Sequence, residues 1–367
     1  MKHRHLCSVL SVATELAGMT LREKVGQLFV VRPESLDPSI HWEKNADLVD
    51  YSLQEVNDRM RAVNAMYPVG GVVLFGHNLG NEDQLTRFLR DLRDLNGEPL
   101  LYADEEGGRV SRFARIPSFD IEKFESMAAV CQAAEPLASA YHCGHSIGSF
   151  LKRYGFEIDF APVADVNTNP DNTVISDRAF SSDPEVVAQM VRSYLEGMRQ
   201  AGMMGCAKHF PGHGNALHDT HLGYSESMKT WEEMLRCEMV PFRAAIDWGC
   251  RFVMTAHISA PAVTGSRIPA TLSSILLTDK LRKELGYRHL IVTDAMEMGA
   301  ISQYYPDSDA TVASILAGVD LVVCPKDFTG SFEAVLAAVE RGTIREERLD
   351  ESVGRVLELR RELRGSC

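Results

Sequence analysis

Apolar residues in this chain gather in short unbroken runs instead of alternating with polar ones. Eight such runs, rich in β-branched and aromatic residues, recur from end to end, at 27–31, 71–75, 99–103, 158–163, 203–207, 251–256, 290–293 and 320–324. Continuous apolar runs of this length are the pattern of strands buried on both faces, as in a parallel sheet. Between them the period changes to that of a helix. Residues 82–96 place Leu85, Phe88, Leu89, Leu92 and Leu95 on one face and stop at Gly97, a residue suited to a helix C-terminus. Asp183 and Pro184 form an N-cap and first-turn pair, followed by Val187, Met190, Val191, Tyr194 and Met198 at helical spacing up to Gly202. A last amphipathic segment, 345–363, turns Leu349, Val353, Val356 and Leu357 inward. Eight alternations of strand and helix predict an α/β fold of the (β/α)8 TIM-barrel type, with an open doubly wound sheet as the alternative that shares the local pattern. No linker-like composition divides the chain, so a single domain over 1–367 is expected, with an insertion at about 33–66 between the first two strands.

Composition narrows the classes. Of 367 residues, 45% are hydrophobic and 24% charged, enough for a sizeable core and unlike a disordered or disulfide-stapled chain. Lys+Arg 38 against Asp+Glu 51 leaves a net charge of −13, a field that repels nucleic acid and anionic lipid. No run approaches the ~20 apolar residues needed to span a bilayer. The eight cysteines are dispersed without a C-x-x-C pair, which reads as free thiols in a reducing cytoplasm. The opening MKHRHLCSVLSVATELAG has basic residues before an apolar run broken by Ser and Thr. A cytoplasmic protein is expected, with a cleaved leader as the alternative. Composition is silent on oligomeric state.

In a barrel the carboxyl ends of the strands surround the active site. Asp104 follows PLLYA, Asp165 follows FAPVA, Lys208 and His209 follow MMGCA, His257 follows RFVMTA, and Asp294 follows LIVT. Any one of these is explained by a helix cap or a turn. Five strand ends carrying this mixture predict a site for a polyhydroxylated or charged ligand. The densest stretch, AKHFPGHGNALHDTHLGY at 207–224, holds His209, His213, His218 and His221 with Lys208 and Asp219. Metal binding competes here, because imidazole and carboxylate are zinc ligands. Histidine spacings of four, five and three on a Gly- and Pro-rich loop do not preset a coordination geometry, and neither metal nor cofactor is expected. Asp219, two residues before His221, is placed to hold the imidazole, fix its tautomer and raise its basicity, as a general acid/base requires. Gly212, Gly214 and Gly223 flank the dyad and are expected to let its loop move. Asp294 supplies a carboxylate from another strand, and acid/base plus carboxylate is the minimum for retaining glycosyl transfer.

These residues carry a family resemblance. KHFPGHG at 208–214 followed by DTH at 219–221 resembles the signature of family 3 glycoside hydrolases of the β-N-acetylhexosaminidase (NagZ) type. MTLREKVGQLF, GGVVLFGHN, DEEGGRVSR, FAPVADV, SDRAF and VTDAMEMGAI agree in order and spacing, so the likeness covers nearly the whole chain. It implies a (β/α)8 barrel and double displacement through a covalent glycosyl-aspartate, with Asp294 as nucleophile, His221 as acid/base and Asp219 as its partner. It implies further that Asp104, Arg112, Arg178, Lys208 and His209 bind the hydroxyls and acetamido group of the sugar. His257 falls on a motif position near the site. Two-domain β-glucosidase relatives continue into an α/β sandwich that contributes a glutamate acid/base; this sequence stops soon after the eighth unit, so the acid/base is expected from the barrel. Thr220 stands where Ser is common, Glu105 where Gln is frequent, and the 33–66 insertion is less typical. The expected activity is removal of terminal N-acetylglucosamine from muropeptide or chitin-derived fragments. Phosphorolysis on the same residues is the near alternative, because a neutral imidazole does not repel phosphate. A metal-dependent amidohydrolase and a non-catalytic sugar-binding barrel are the remaining ones.

Overall fold

The apolar runs pair side by side into one parallel ring. The structure, a computed structural model, describes residues 12–40, 52–216 and 223–365. Its strands are β1 (Phe29–Val31), β2 (Gly71–Val73), β3 (Leu100–Ala103), β4 (Ile158–Asp159), β5 (Met204–Phe210), β6 (Phe252–Thr255), β7 (Leu290–Thr293) and β8 (Val322–Val323). Neighbours in sequence are neighbours in the sheet, with Val30 opposite Gly71, Gly71 opposite Leu100, and Phe252 opposite Leu290. β8 returns to β1, Phe29 facing Val322. The seam with β7 closes through Asp320 N–H to Ile291 O at 2.8 Å and Thr293 N–H to Leu321 O at 3.0 Å. The chain is therefore a (β/α)8 barrel, as its pattern predicts.

Both faces of each strand are buried because the ring has two apolar layers. Leu100 and Tyr102 of β3 share the barrel interior with Phe252 and Met254 of β6 and Leu290 and Val292 of β7. The intervening Leu101, Val253 and Ile291 pack outward against helices such as Pro136–Tyr154 and Pro184–Gln200. Tyr102 fills the interior above β2, where a β-carbon on Gly71 would sit 2.4 Å from its ring. Glycine at 71 is thus set by the tyrosine ring that reaches over it from β3.

The last helix, Glu346–Leu363, closes the amino-terminal end of the barrel. Val356 and Leu359 extend the interior cluster. Arg360 donates to Gly70 O at 2.9 Å, Glu98 O at 2.8 Å and Gln27 Oε1 at 3.1 Å, fastening the approaches to β1, β2 and β3. On the opposite side Asp320, fully buried, accepts from Ile291 N–H at 2.9 Å, Ser352 Oγ at 2.6 Å and Arg355 Nη1 at 2.8 Å, and pairs with Arg282. Burial alone would raise its pKa, but the Arg282, Arg355 and Arg348 cations outweigh that and hold it ionised below the usual carboxylate range.

Two strands depart from the sequence reading. The β4 ladder ends at Asp159 instead of running to residue 163, and pairing resumes only at Val163 against Lys208. β5 continues to Phe210, past the expected end at 207. Ala207 and Phe210 both face the helix layer, and the register against β6 shifts between them. A regular strand would put residues three apart on opposite faces; the irregularity instead frees both Lys208 and His209 for the barrel mouth. Of the expected insertion the structure describes the turn Pro33–Leu36 and the helix Asp58–Met66. The cysteines at 131, 143, 206, 237, 250 and 324 are free thiols; Cys7 and Cys367 lie outside the described residues. No helix among the described residues is long and apolar enough to cross a membrane.

Removing the charge at residue 320 strands buried guanidinium groups without a counter-ion. Asp320→Asn is expected to lower unfolding stability by about 3–5 kcal/mol, measured as a fall in the urea midpoint.

Candidate active site

Cations and carboxylates alternate along one wall of the mouth. Lys208 Nζ lies 2.7 Å from Asp104 Oδ1 and 2.5 Å from Glu106 Oε1. Asp104 Oδ2 accepts from Arg112 Nη2 at 2.7 Å. Glu106 receives the forked guanidinium of Arg178, Nη2 to Oε1 at 2.7 Å and Nε to Oε2 at 2.9 Å. The Lys208 and Glu106 side chains are only 3% and 2% exposed. Burial works against charge at every member. Lys208 and Arg112 outweigh it at Asp104, and Arg178 and Lys208 outweigh it at Glu106, so both carboxyls lie below their ordinary pKa. Asp104 and Glu106 in turn hold Lys208 above its ordinary value.

His209 continues this wall. Its Nδ1 lies 2.7 Å from Asp165 Oδ2 and its Nε2 3.4 Å from Arg178 Nη2. With the proton on Nδ1 donated to the carboxylate, Nε2 accepts from the guanidinium, which fixes the tautomer. Asp165 Oδ1 accepts from the His213 backbone N–H at 2.6 Å. Burial pushes the His213 imidazole down to about 4, so it is neutral near pH 7, and the Asp294 carboxylate acts on it electrostatically from β7. Asp294 follows β7 directly, partly exposed, with Oδ1 accepting from Ala295 N–H at 2.8 Å. His257 is buried; its Nε2 donates to Ala295 O at 2.9 Å and its Nδ1 meets Thr271 Oγ1 at 2.8 Å. Expected near the site from its motif position, His257 makes both of these contacts with protein atoms, one of them on the residue after Asp294.

The structure thus brings together Asp104, Arg112, Arg178, Lys208 and His209 along one wall, with Asp294 at the end of β7. His221 and Asp219 lie outside the described residues. Their segment leaves from Ala216, whose carbonyl accepts from Asn169 Nδ2 and Asn172 Nδ2, each at 3.2 Å. Asn172 also donates to His213 O at 2.8 Å, tying the Arg178 loop to this departure point. At Gly214 the missing side chain serves close packing, not the hinge expected from sequence, since a β-carbon there would sit 2.0 Å from Val166 O. No group of three or more His, Cys, Asp or Glu among the described residues is placed to hold a metal ion.

One contributor, Glu106, escaped the sequence reading, and the roles of two others did. Glu106 sits in DEEGG beside Glu105, and nothing in the string says which of the two turns inward. Asp165 is visible as a strand-end acid, but its partnership with His209 is not. Glu105 is buried and structural, since its carboxylate accepts from the Arg112 and Phe113 backbone N–H groups at 2.6 and 3.1 Å and from Ser111 Oγ. It closes the turn that aims Arg112 at Asp104.

The chain is thus a (β/α)8 barrel whose mouth carries a strand-end carboxylate and a wall of buried, paired cations and acids. The model of the glycosyl hydrolase family 3 N-terminal domain matches residues 20–359, and the chain belongs to that family. It is 32% identical over 323 residues to a beta-hexosaminidase A of Pseudoalteromonas piscicida, covering 81% of this chain and 54% of that protein. It is 34% identical over 292 residues to a beta-hexosaminidase of Tolumonas auensis, covering 77% and 84%. A family 3 beta-N-acetylglucosaminidase structure from Paenibacillus superposes with a TM-score of 0.82 at 35% identity, over 95% of this chain and 64% of that one. The chain therefore spans about half the length of the first relative and most of the second.

Glu105 gives the site a pH-dependent stability. Burial, reinforced by Asp104, outweighs its hydrogen bonds and raises its pKa from 4.5 to about 7. A raised carboxyl costs stability only once it ionises, so the penalty is absent below pH 4.5 and grows until the pH passes 7. Glu105→Gln keeps the acceptor for both N–H groups and removes the charge. It is expected to leave stability unchanged at pH 4.5 and to raise it by about 3 kcal/mol at pH 8, read from thermal unfolding at the two pH values.

Proposed function

We propose that the chain is a retaining exo-β-N-acetylglucosaminidase that removes terminal N-acetylglucosamine from muropeptide or chitin-derived fragments, acting in the cytoplasm without a cofactor. The observation that carries this reading is Asp294, a partly exposed carboxylate at the end of β7, with one oxygen held by Ala295 N–H. The names of the hexosaminidase relatives support the choice of sugar.

In this mechanism Asp294 attacks the anomeric carbon while the leaving oxygen takes a proton from His221, held by Asp219. The glycosyl-aspartate is then hydrolysed as the neutral imidazole deprotonates water. Asp104, Arg112, Arg178, Lys208 and His209 bind the sugar. Because their charges are already paired, they present fixed dipoles to hydroxyls that gain partial charge as the ring flattens, with little reorganisation at the moment of reaction. His257 holds the Ala295 carbonyl and so steadies the nucleophile.

Asp294→Ala is expected to reduce turnover of an aryl β-N-acetylglucosaminide to background with unfolding unchanged, and a slow 2-fluoro substrate to label Asp294; label on another carboxylate overturns the nucleophile assignment. His221→Ala is expected to lose about 10²–10⁴-fold on poor leaving groups and far less on activated ones, with Asp219→Ala following the same order more weakly. The free-enzyme pH profile should carry a limb near ~6.5. Equal losses across the leaving-group series refute the acid/base role. Running the assay with and without phosphate separates hydrolysis from phosphorolysis by its products.

A further inference from the structure

The stretch of sequence holding Asp219 and His221 runs between two described arms, 208–216 and 223–229. Different neighbours hold them. The first arm leans on the loop after β4, where Asp165 accepts from His213 N–H at 2.6 Å and Asn169 and Asn172 donate to Ala216 O. The second leans on the loop after β6: Ser227 N–H donates to Ser259 O at 2.9 Å, Ser259 N–H donates to Ser225 O at 3.0 Å, and the Tyr224 hydroxyl shares a hydrogen bond of 2.5 Å with Ser259 Oγ. A side chain that touches both arms sets their separation directly.

Glu238 is such a side chain. It stands immediately before the helix Met239–Trp248, whose Phe242 packs edge-on against Phe210 of β5 with ring centroids 5.5 Å apart, so its base is fixed in the core. Its stem presses on the first arm. A β-carbon at Gly212 would sit 2.4 Å from Glu238 Cγ and 2.7 Å from its Cβ, and the φ of +113° there favours glycine as well. Its carboxylate pairs with Lys229 of the second arm. The Glu238 side chain is 0% exposed against 23% for Lys229, and a carboxylate so enclosed is costly to separate from its cation. Lys229 is therefore held where Gly212 already is.

We propose that Glu238 is a positioning residue for the acid/base of this enzyme: by packing on Gly212 and pairing with Lys229 it fixes the two arms between which His221 is carried, and so the aim of the proton toward the leaving oxygen. The proposal rests on the glycosidase reading above, with His221 as the proton donor. With no exposed surface Glu238 touches no substrate, and its effect passes through the arms. Loosening the pair then costs rate where the leaving group needs a proton and little where it does not. A pair that merely staples the helix Trp231–Arg236, which lies between its two members, would cost stability without that selectivity.

The test measures kcat/KM, which reports the first chemical step, on an activated aryl β-N-acetylglucosaminide and on N,N′-diacetylchitobiose, together with thermal unfolding. Lys229→Met cuts the pair and keeps the length of the stem. It is expected to lower kcat/KM on the disaccharide by about tenfold, a loss that a misplacement below 1 Å can carry, and on the aryl glycoside by less than about twofold. The double variant Lys229→Met, Glu238→Gln removes the charge that the single variant leaves buried; it should recover unfolding stability and keep the same selectivity. Lys229→Arg restores the pair and should restore the disaccharide rate to within about twofold. Equal losses on both substrates, or a fall in stability with the ratio of the two rates unchanged, in the single and double variants, overturns the positioning role and leaves the glycosidase standing. His221→Ala serves as the reference: if it shows no dependence on the leaving group, the acid/base reading falls and the role of Glu238 with it.

Discussion

Lys208 is a cation with almost no access to water, and the arrangement of the barrel mouth follows from that. A buried ammonium persists only where carboxylates surround it at hydrogen-bond distance. Asp104 and Glu106 meet this need from β3, but two acids beside one lysine leave an excess of negative charge. Arg112 and Arg178 more than offset it, and each must then be aimed. Glu105 aims Arg112 by closing a turn on itself. Asn172 aims Arg178 by tying its loop to His213. Residues scattered from 104 to 213 thus become one rigid wall because a single charge was placed where solvent is absent.

The fold was largely legible in the sequence because a strand buried on both faces leaves a simple trace, an unbroken apolar run. All eight runs found their places in the ring. What the run does not record is where pairing stops. The β5 irregularity depends on which residues face the helix layer, and Ala207 and Phe210 look no different in sequence from ordinary strand residues. Site residues were legible in the same uneven way. Asp104, Asp165, Lys208 and Asp294 are visible together as polar residues at the ends of apolar runs, although each alone could be a cap or a turn. Glu106, and the partnership of Asp165, are not visible, because their partners lie more than 40 residues away in sequence, Arg178 and His209. The Arg32–Glu297 pair joins residues 265 apart, a distance over which no local pattern carries information.

The two ends of the barrel use buried charge differently. At the amino-terminal end Asp320 and Arg360 are enclosed by contacts within the protein, and their role is to hold the last helix across the ring. At the carboxyl end the same chemistry lines the mouth, where Asp294 is partly exposed at the end of β7. The same side-chain types thus fasten the scaffold at one end and shape the mouth at the other.

Gly71 and Tyr102 carry a consequence for divergence. The ring of Tyr102 occupies the space a β-carbon at 71 would need, and the same ring packs 5.3 Å from Phe160 and 6.2 Å from Phe252. A lineage that gains a side chain at position 71 must shrink position 102, and the void this opens falls to positions 160 and 252 to fill. Positions 71, 102, 160 and 252 therefore constrain one another, and a change in volume at one is felt at the others.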